Sequence, residues 1–185
     1  MFFYEFYDSP VGKLAVASDE NSIIGLWLVH QRFYMDILQG QECEEKETAV
    51  IRLAKTWLDK YFVGEKPEIS ELPIKFIGSD FRVEVWQMLT EIPCGNVVTY
   101  GDFAKKIAIK RGIKSMSAQA VGGAVGRNPI SIIVPCHRVI GVNGNLTGYS
   151  GGVSTKIKLL EFEGVDCSIL HKPKKAQRCK IGKEK

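Results

Sequence analysis

The hydrophobic pattern of this chain switches at Thr48, and that switch limits the fold more than any other feature. Phe2-Phe3-Tyr4-Glu5-Phe6-Tyr7, Leu14-Ala15-Val16-Ala17 and residues 23–29 are short apolar or aromatic runs, separated by Ser9-Pro10-Val11-Gly12 and Asp19-Glu20-Asn21. Runs of that length between turn formers read as strands, and connections this short make an antiparallel meander. From Thr48 the spacing turns helical: Val50, Leu53, Ala54, Trp57, Leu58 and Tyr61 share a face, and Gly64 sits past its end. Residues 65–78, with Pro67 and Pro73, read as a linker. Residues 1–78 therefore form a small α/β unit with no catalytic constellation of its own. A chain of 185 residues suits one domain or two small ones.

Beyond residue 79 the pattern is mainly helical. Ser79 can cap a helix carrying Phe81, Val85, Met88, Leu89 and Ile92, ended by Pro93 and turned by Gly95. Thr99-Tyr100-Gly101-Asp102 matches a capping box with the shorter acid, ahead of Phe103, Ala104, Ile107 and Ala108. A basic loop leads to residues 117–126, a second short helix, and the pair reads as a helix-turn-helix. Gly122 and Gly123 lie inside that second helix, where each costs about 1 kcal/mol against Ala. Two causes fit: a bulky ligand approaching the backbone, or tight packing between helices. Ser131-Ile132-Ile133-Val134 reads as a buried strand stopped by Pro135, and Asn143-Gly144 as a hairpin turn. Val153, Ile157 and Leu160 mark a last helix face, closed by Gly164.

Charge is distributed unevenly behind a net of +4. Residues 1–80 hold 8 basic against 14 acidic side chains, residues 81–170 hold 10 against 6, and residues 171–185 hold 7 against 1. Lys105, Lys106, Lys110, Arg111, Lys114, Arg127 and Arg138 face Asp102 alone between Thr99 and Arg138. A basic stripe confined to one region is the footprint of a nucleic-acid face, and the acidic first part should then face away from it. No apolar run exceeds seven residues, far short of a membrane span, and no charged-then-apolar leader opens the chain. With five widely spaced cysteines and no C-x-x-C pair, the reading is a protein of the reducing cytoplasm with free thiols. The three histidines offer no metal-ligand spacing, so no metal and no cofactor is expected.

The chemistry concentrates in Pro135-Cys136-His137-Arg138. A thiol presented where a strand ends, beside an imidazole and a guanidinium, sits in the electropositive setting that lowers thiol pKa. Adjacent residues do not face each other, so His137 would act through a water or be oriented by a carboxylate such as Glu163. The remaining four cysteines read as buried structural thiols.

Residues 128–140, Asn-Pro-Ile-Ser-Ile-Ile-Val-Pro-Cys-His-Arg-Val-Ile, closely resemble the active-site signature of the 6-O-alkylguanine-DNA alkyltransferases. The resemblance extends through Phe81, Val85-Trp86, Ile92-Pro93, Gly95 and Thr99-Tyr100-Gly101 to Ala120-Val121-Gly122-Gly123-Ala124, Gly148-Tyr149-Ser150-Gly151-Gly152 and Ser9-Pro10-Val11-Gly12. It covers about 170 of the 185 residues. It implies a ribonuclease-H-like α/β domain over residues 1–78, then a mainly helical domain with a winged helix-turn-helix over 79–170. Residues 171–185 would be a basic, disordered tail.

The activity implied is suicidal DNA repair. The protein, a monomer in the bacterial cytoplasm and on its nucleoid, would bind duplex DNA through the minor groove and flip the damaged guanine. Cys136 would then take the alkyl group irreversibly. By similarity Glu163, His137 and a water remove the thiol proton, and Tyr100 assists the leaving guanine. Val139, Tyr149, Ser150 and Asn128 build the guanine pocket, Arg138 gives structural support, and Gln119, Ala120, Gly123, Thr99 and Arg127 meet DNA. The 4-oxygen of thymine is a second candidate source of the alkyl group, and Ser131 lies where pocket breadth would be set. One departure stands out: the family's helix arginine, which fills the space of the flipped base, falls on Gln119, which lacks its charge and stacking plane. A non-repairing lesion-binding relative, a cysteine hydrolase and a plain transcription factor are the rival readings; Cys136 itself argues against the first.

Overall fold

Strands β1 (Phe2–Ser9), β2 (Gly12–Ser18) and β3 (Ile23–Leu28) pair antiparallel in sequence order, as the short turns require. The computed structural model describes residues 1–172. Every residue of β3 is buried because both faces of the sheet are covered. Leu14, Val16, Leu26 and Leu28 pack with helix α1 (Ala49–Phe62), while Ala15, Ala17, Ile24 and Trp27 pack with Leu38 and the rings of Phe2, Tyr4 and Phe6. Helix α1 starts where Thr48 accepts from the Ile51 N–H at 3.1 Å, and it buries Ile51, Ala54, Trp57, Leu58 and Tyr61. Each large side chain on that face contributes about 1.5–3 kcal/mol by leaving water.

A fourth strand, β4 (Cys43–Glu45), runs parallel to β1 and gives the order β3-β2-β1-β4 in place of a three-stranded meander. All three of its residues are exposed, so it carries no hydrophobic alternation, and charges on an edge strand discourage further pairing. Residues 65–78 are likewise not a free linker. Ile23 N–H donates to Pro73 O at 2.7 Å, Lys75 N–H to Ile23 O at 2.9 Å, and the Trp57 indole N–H to Glu68 O at 3.0 Å. On β3 again, Leu26 N–H donates to Pro129 O and its carbonyl accepts from Ser131 N–H, both at 2.8 Å. One apolar core consequently runs from α1 through the sheet into the second half.

The second half is helical where the spacing predicts: α2 (Asp80–Leu89), α3 (Tyr100–Lys110), α4 (Ala118–Val125) and α5 (Val153–Phe162). Thr99 caps α3 by accepting from Asp102 N–H at 3.1 Å, and Ser117 caps α4 by accepting from Ala120 N–H at 3.3 Å. Ser79 makes no side-chain cap bond. The Trp86 indole on α2 donates to Ala124 O at 2.9 Å, tying α2 to α4. Two-residue strands β5 (Val98–Thr99) and β6 (Val139–Ile140) pair in parallel and bring the start of α3 beside the segment after Cys136.

Two expectations need correction. Residues 131–134 are a buried series of turns, not a strand: after the single bridge from Ile130 to Leu26, Ile132 takes φ +72 and Val134 N–H bonds back to Ile130 O. A short apolar run looks alike in either conformation; here the Gln31 side chain takes Leu28 N–H on β3 and Asn128 takes the Ile130 and Val134 backbone groups that a ladder would have used. Asn143 and Gly144 do take the positive φ values of a tight turn, 55° and 76°, and Gly141 N–H donates to Asn145 O. No ladder follows, because Asn145 then bridges His171 in parallel.

Candidate active site

Cys136, His137 and Arg138 form one 3-10 turn between the buried turns and β6, and all three side chains are buried. Asn128 shapes the approach. Its amide donates to Val134 O at 2.8 Å and Ile130 O at 3.3 Å and accepts from Ile130 N–H at 3.0 Å, satisfying backbone groups that a strand would have paired.

Glu163, the residue at the C-terminal cap of α5, is the hub. Its Oε1 lies 2.7 Å from His137 Nε2 and accepts from the Tyr61 hydroxyl at 2.9 Å and Arg138 Nη2 at 2.9 Å. Its Oε2 accepts from Arg138 Nε at 2.8 Å and Gly95 N–H at 3.4 Å. Arg138 also donates to the Ile92 carbonyl. Burial alone would raise the Glu163 pKa, but His137 and the Arg138 guanidinium hold it well below the usual carboxylate range. The anion is thus fixed, and an anion only accepts. His137 is pushed down from 6.5 by burial, against the raising effect of Glu163, and is neutral at pH 7. Its one N–H then points from Nε2 to Glu163, which leaves Nδ1 as a proton acceptor; that atom is buried with no partner among the described residues.

The Cys136 thiol departs from the expectation of a lowered pKa. Asn128, Lys156 and nearby backbone N–H groups favour the thiolate, yet burial outweighs them and raises the pKa. The resting group is a thiol that needs a base. The remaining cysteines also correct the sequence reading, since Cys43 is exposed and Cys94 and Cys167 are half-buried. Cys179 lies outside the described residues.

Tyr100 and Tyr149 belong to the same locality, for the Cys136 sulfur contributes to raising both phenols. Burial is the larger cause in each; Tyr100 is pushed up to about 12 and its hydroxyl donates to Gly148 O at 3.4 Å. The Tyr149 hydroxyl is buried beside Ser131, whose side chain works against that rise. Of the backbone carbonyls beside the thiol, Cys136 O accepts from Val139 N–H, and Val139 O accepts from Lys156 Nζ at 2.6 Å. Each keeps one lone pair. A cavity of about 410 Å³ opens between Tyr149, Ser150 and the glycine face of α4. On that helix Gln119, Ala120 and Gly123 are exposed, as is Arg127 just beyond it, whereas Thr99 is engaged with Asp102. A Cβ on Gly122 would lie 3.7 Å from the Tyr100 ring, but one on Gly123 would meet nothing within 4 Å. Packing within the protein therefore does not account for Gly123.

Sequence spacing missed several groups. Lys156 is fully buried, its ammonium donating to Val139 O and, at 3.4 Å, to Thr147 O; burial lowers its pKa from 10.5 to about 8. The signal was available, since Lys156 falls on the apolar face marked by Val153, Ile157 and Leu160. The N-terminal half, assigned no part in the site, contributes Tyr61 and Gln31, whose Oε1 accepts from the Ser131 hydroxyl at 3.1 Å. Among the described residues no three His, Cys, Asp or Glu side chains converge as a metal site, and no helix is long and apolar enough to cross a membrane.

Comparison with known proteins places this geometry among relatives. Residues 2–76 match the ribonuclease-like domain of 6-O-methylguanine DNA methyltransferase, and residues 80–165 match its DNA-binding domain. The chain is 38% identical over 163 residues to the methylated-DNA–protein-cysteine methyltransferase of Haemophilus influenzae, covering 88% of this chain and 87% of that one. It is 39% identical over 168 residues to the constitutive enzyme of that name from Bacillus subtilis, covering 89% and 97%. Its structure resembles that of Mycobacterium tuberculosis OGT in complex with DNA, with a TM-score of 0.74 at 37% identity over 87% of this chain and 92% of that one.

Proposed function

The chain belongs to the 6-O-methylguanine DNA methyltransferase family, and we propose on that basis that it repairs DNA by moving an alkyl group from the 6-oxygen of guanine to its own Cys136. One observation supports the residue assignment above others: neutral His137, held by anionic Glu163, offers a buried, unpartnered Nδ1 one residue from the thiol. A water held by that nitrogen carries the thiol proton to it. The sulfur attacks the alkyl carbon, the S–C bond forms as the C–O bond breaks, and the electron pair leaves on the guanine. Tyr100 remains protonated at neutral pH and donates to the leaving base, which is where charge develops. Lys156 supports the forming thiolate by its charge and pins the Thr147 carbonyl to the Val139 carbonyl. The thioether has no return path, so each molecule acts once.

Duplex DNA hides the alkyl carbon within the base stack, so the nucleotide must turn out into the pocket beside Tyr149 and Ser150. Helix α4 presents Gln119, Ala120 and Gly123 to the minor groove, and Arg127 and the basic stripe neutralise phosphates without reading sequence. The protein acts as a monomer on DNA in the cytoplasm. Incubation with duplex DNA bearing 6-O-methylguanine, followed by mass spectrometry, tests this. One added methyl group on Cys136, absent in Cys136→Ala, is expected. Unmodified protein that still binds the lesion would overturn it, as would repeated turnover.

A further inference from the structure

The acidic N-terminal half reaches the mouth of the pocket with a cation. After β3, Gln31 N–H bonds to Leu28 O at 2.9 Å, and the Gln31 side chain is buried, accepting from Leu28 N–H at 3.0 Å and from Ser131. That anchor fixes the next residues. Arg32 N–H donates to Ser150 O at 3.2 Å, on the loop that closes the pocket. Phe33 takes φ +64, a conformation bulky residues rarely adopt. The Arg127 guanidinium lies 4.2 Å from the Phe33 ring centroid, and that of Arg32 lies 4.8 Å from it.

Two guanidiniums, one from each half of the chain, thus share a single ring. Among the described residues neither has a carboxylate within 4.0 Å, in contrast to Arg52, Arg111 and Arg138. Two cations gathered on one ring repel each other and favour an anion between or beside them. Arg32, Phe33 and Arg127 line the same 410 Å³ cavity as Gly123, Tyr149 and Ser150. Guanidiniums suit phosphate oxygens through their planar fork of donors.

We propose that Arg32 and Phe33 form, with Arg127, a clamp for the phosphodiester backbone beside the extruded nucleotide, so that the N-terminal half touches DNA directly. This rests on the repair reading for the identity of the polyanion. The clamp brings a phosphate contact from the N-terminal half to the end of α4. It also couples DNA contact to the closing loop, because Arg32 is bonded to Ser150.

The test is the salt dependence of binding by the full chain to a duplex carrying 6-O-methylguanine, followed by fluorescence anisotropy. The variants are Arg32→Ala and Arg32→Lys, with Cys136→Ala in every protein so that no transfer intervenes. Loss of one phosphate contact lowers the slope of log K against log salt by about 0.9. The expected result is that drop in Arg32→Ala, with several-fold weaker binding at low salt, and a slope near the parent's in Arg32→Lys. An unchanged slope in Arg32→Ala overturns the clamp. An equal fall in Arg32→Lys also overturns it, because the effect would then follow loop structure and not charge. A parent chain with Cys136 intact that takes no methyl group from the duplex sinks the repair reading alone, since the clamp is judged by binding.

Discussion

Replacing Lys156 by Met should separate stability from activity. The ammonium is fully buried, and its fall from 10.5 to about 8 corresponds to about 3 kcal/mol of unfavourable burial at neutral pH. Met fills a similar volume without that charge. Against the gain stands the loss of the buried bond to Val139 O, where a carbonyl left unpaired costs about 1–3 kcal/mol; the 3.4 Å bond to the part-buried Thr147 O is long and adds little. At pH 7 the variant should therefore be as stable as the parent or up to about 2 kcal/mol more stable. The sign with pH follows from the depressed value. Between about 8 and 10.5 the unfolded chain holds a proton that the folded chain has lost, so the parent gains stability as pH rises and the variant does not. The parent should overtake it by pH 10, where its burial penalty has largely gone and its hydrogen bonds remain. Urea unfolding of both proteins at pH 7 and pH 10 reads this difference, in which all shared titrations cancel. A stability gap that does not change with pH would refute the reasoning. Transfer to Cys136 should meanwhile slow, because the charge favouring the thiolate is gone.

Five further outcomes follow. The transfer rate should hold level through neutral pH and fall in acid only below 6.5, because burial depresses His137; a midpoint at or above 6.5 in single-turnover rates would contradict the neutral tautomer. The same burial means that the unfolded histidine binds a proton before the folded one does, so stability should decline as pH drops through 6.5. Gly25→Ala would set a methyl group 1.8 Å from the Trp27 indole and should lower stability by about 1–3 kcal/mol in urea unfolding. Gln119→Arg should tighten lesion-DNA binding and speed repair in single-turnover assays; no change in either would remove Gln119 from the DNA face. Deleting residues 173–185, which lie outside the described structure, should reduce the salt slope of DNA binding if that basic tail meets phosphates.

The sequence by itself determined the elements whose signals are local. The apolar runs of β1 to β3, the helical face of α1, the Thr99 cap and the glycine stop after α5 all depend on neighbours within a few residues, so spacing revealed them. Cys136-His137-Arg138 was legible as a motif for the same reason. Three-dimensional structure decided what those groups do to one another. Edge strand β4 carries no alternation because it buries nothing, and residues 131–134 turn because the Gln31 and Asn128 side chains take the backbone groups that a ladder would have used. Glu163 meets His137 across 26 positions and Tyr61 across 102, distances at which no periodicity operates. The thiol shows the limit most clearly. Its charged neighbours predict a lowered pKa and its burial imposes a raised one, because desolvation depends on every atom packed around the sulfur and not on the residues beside it in the chain.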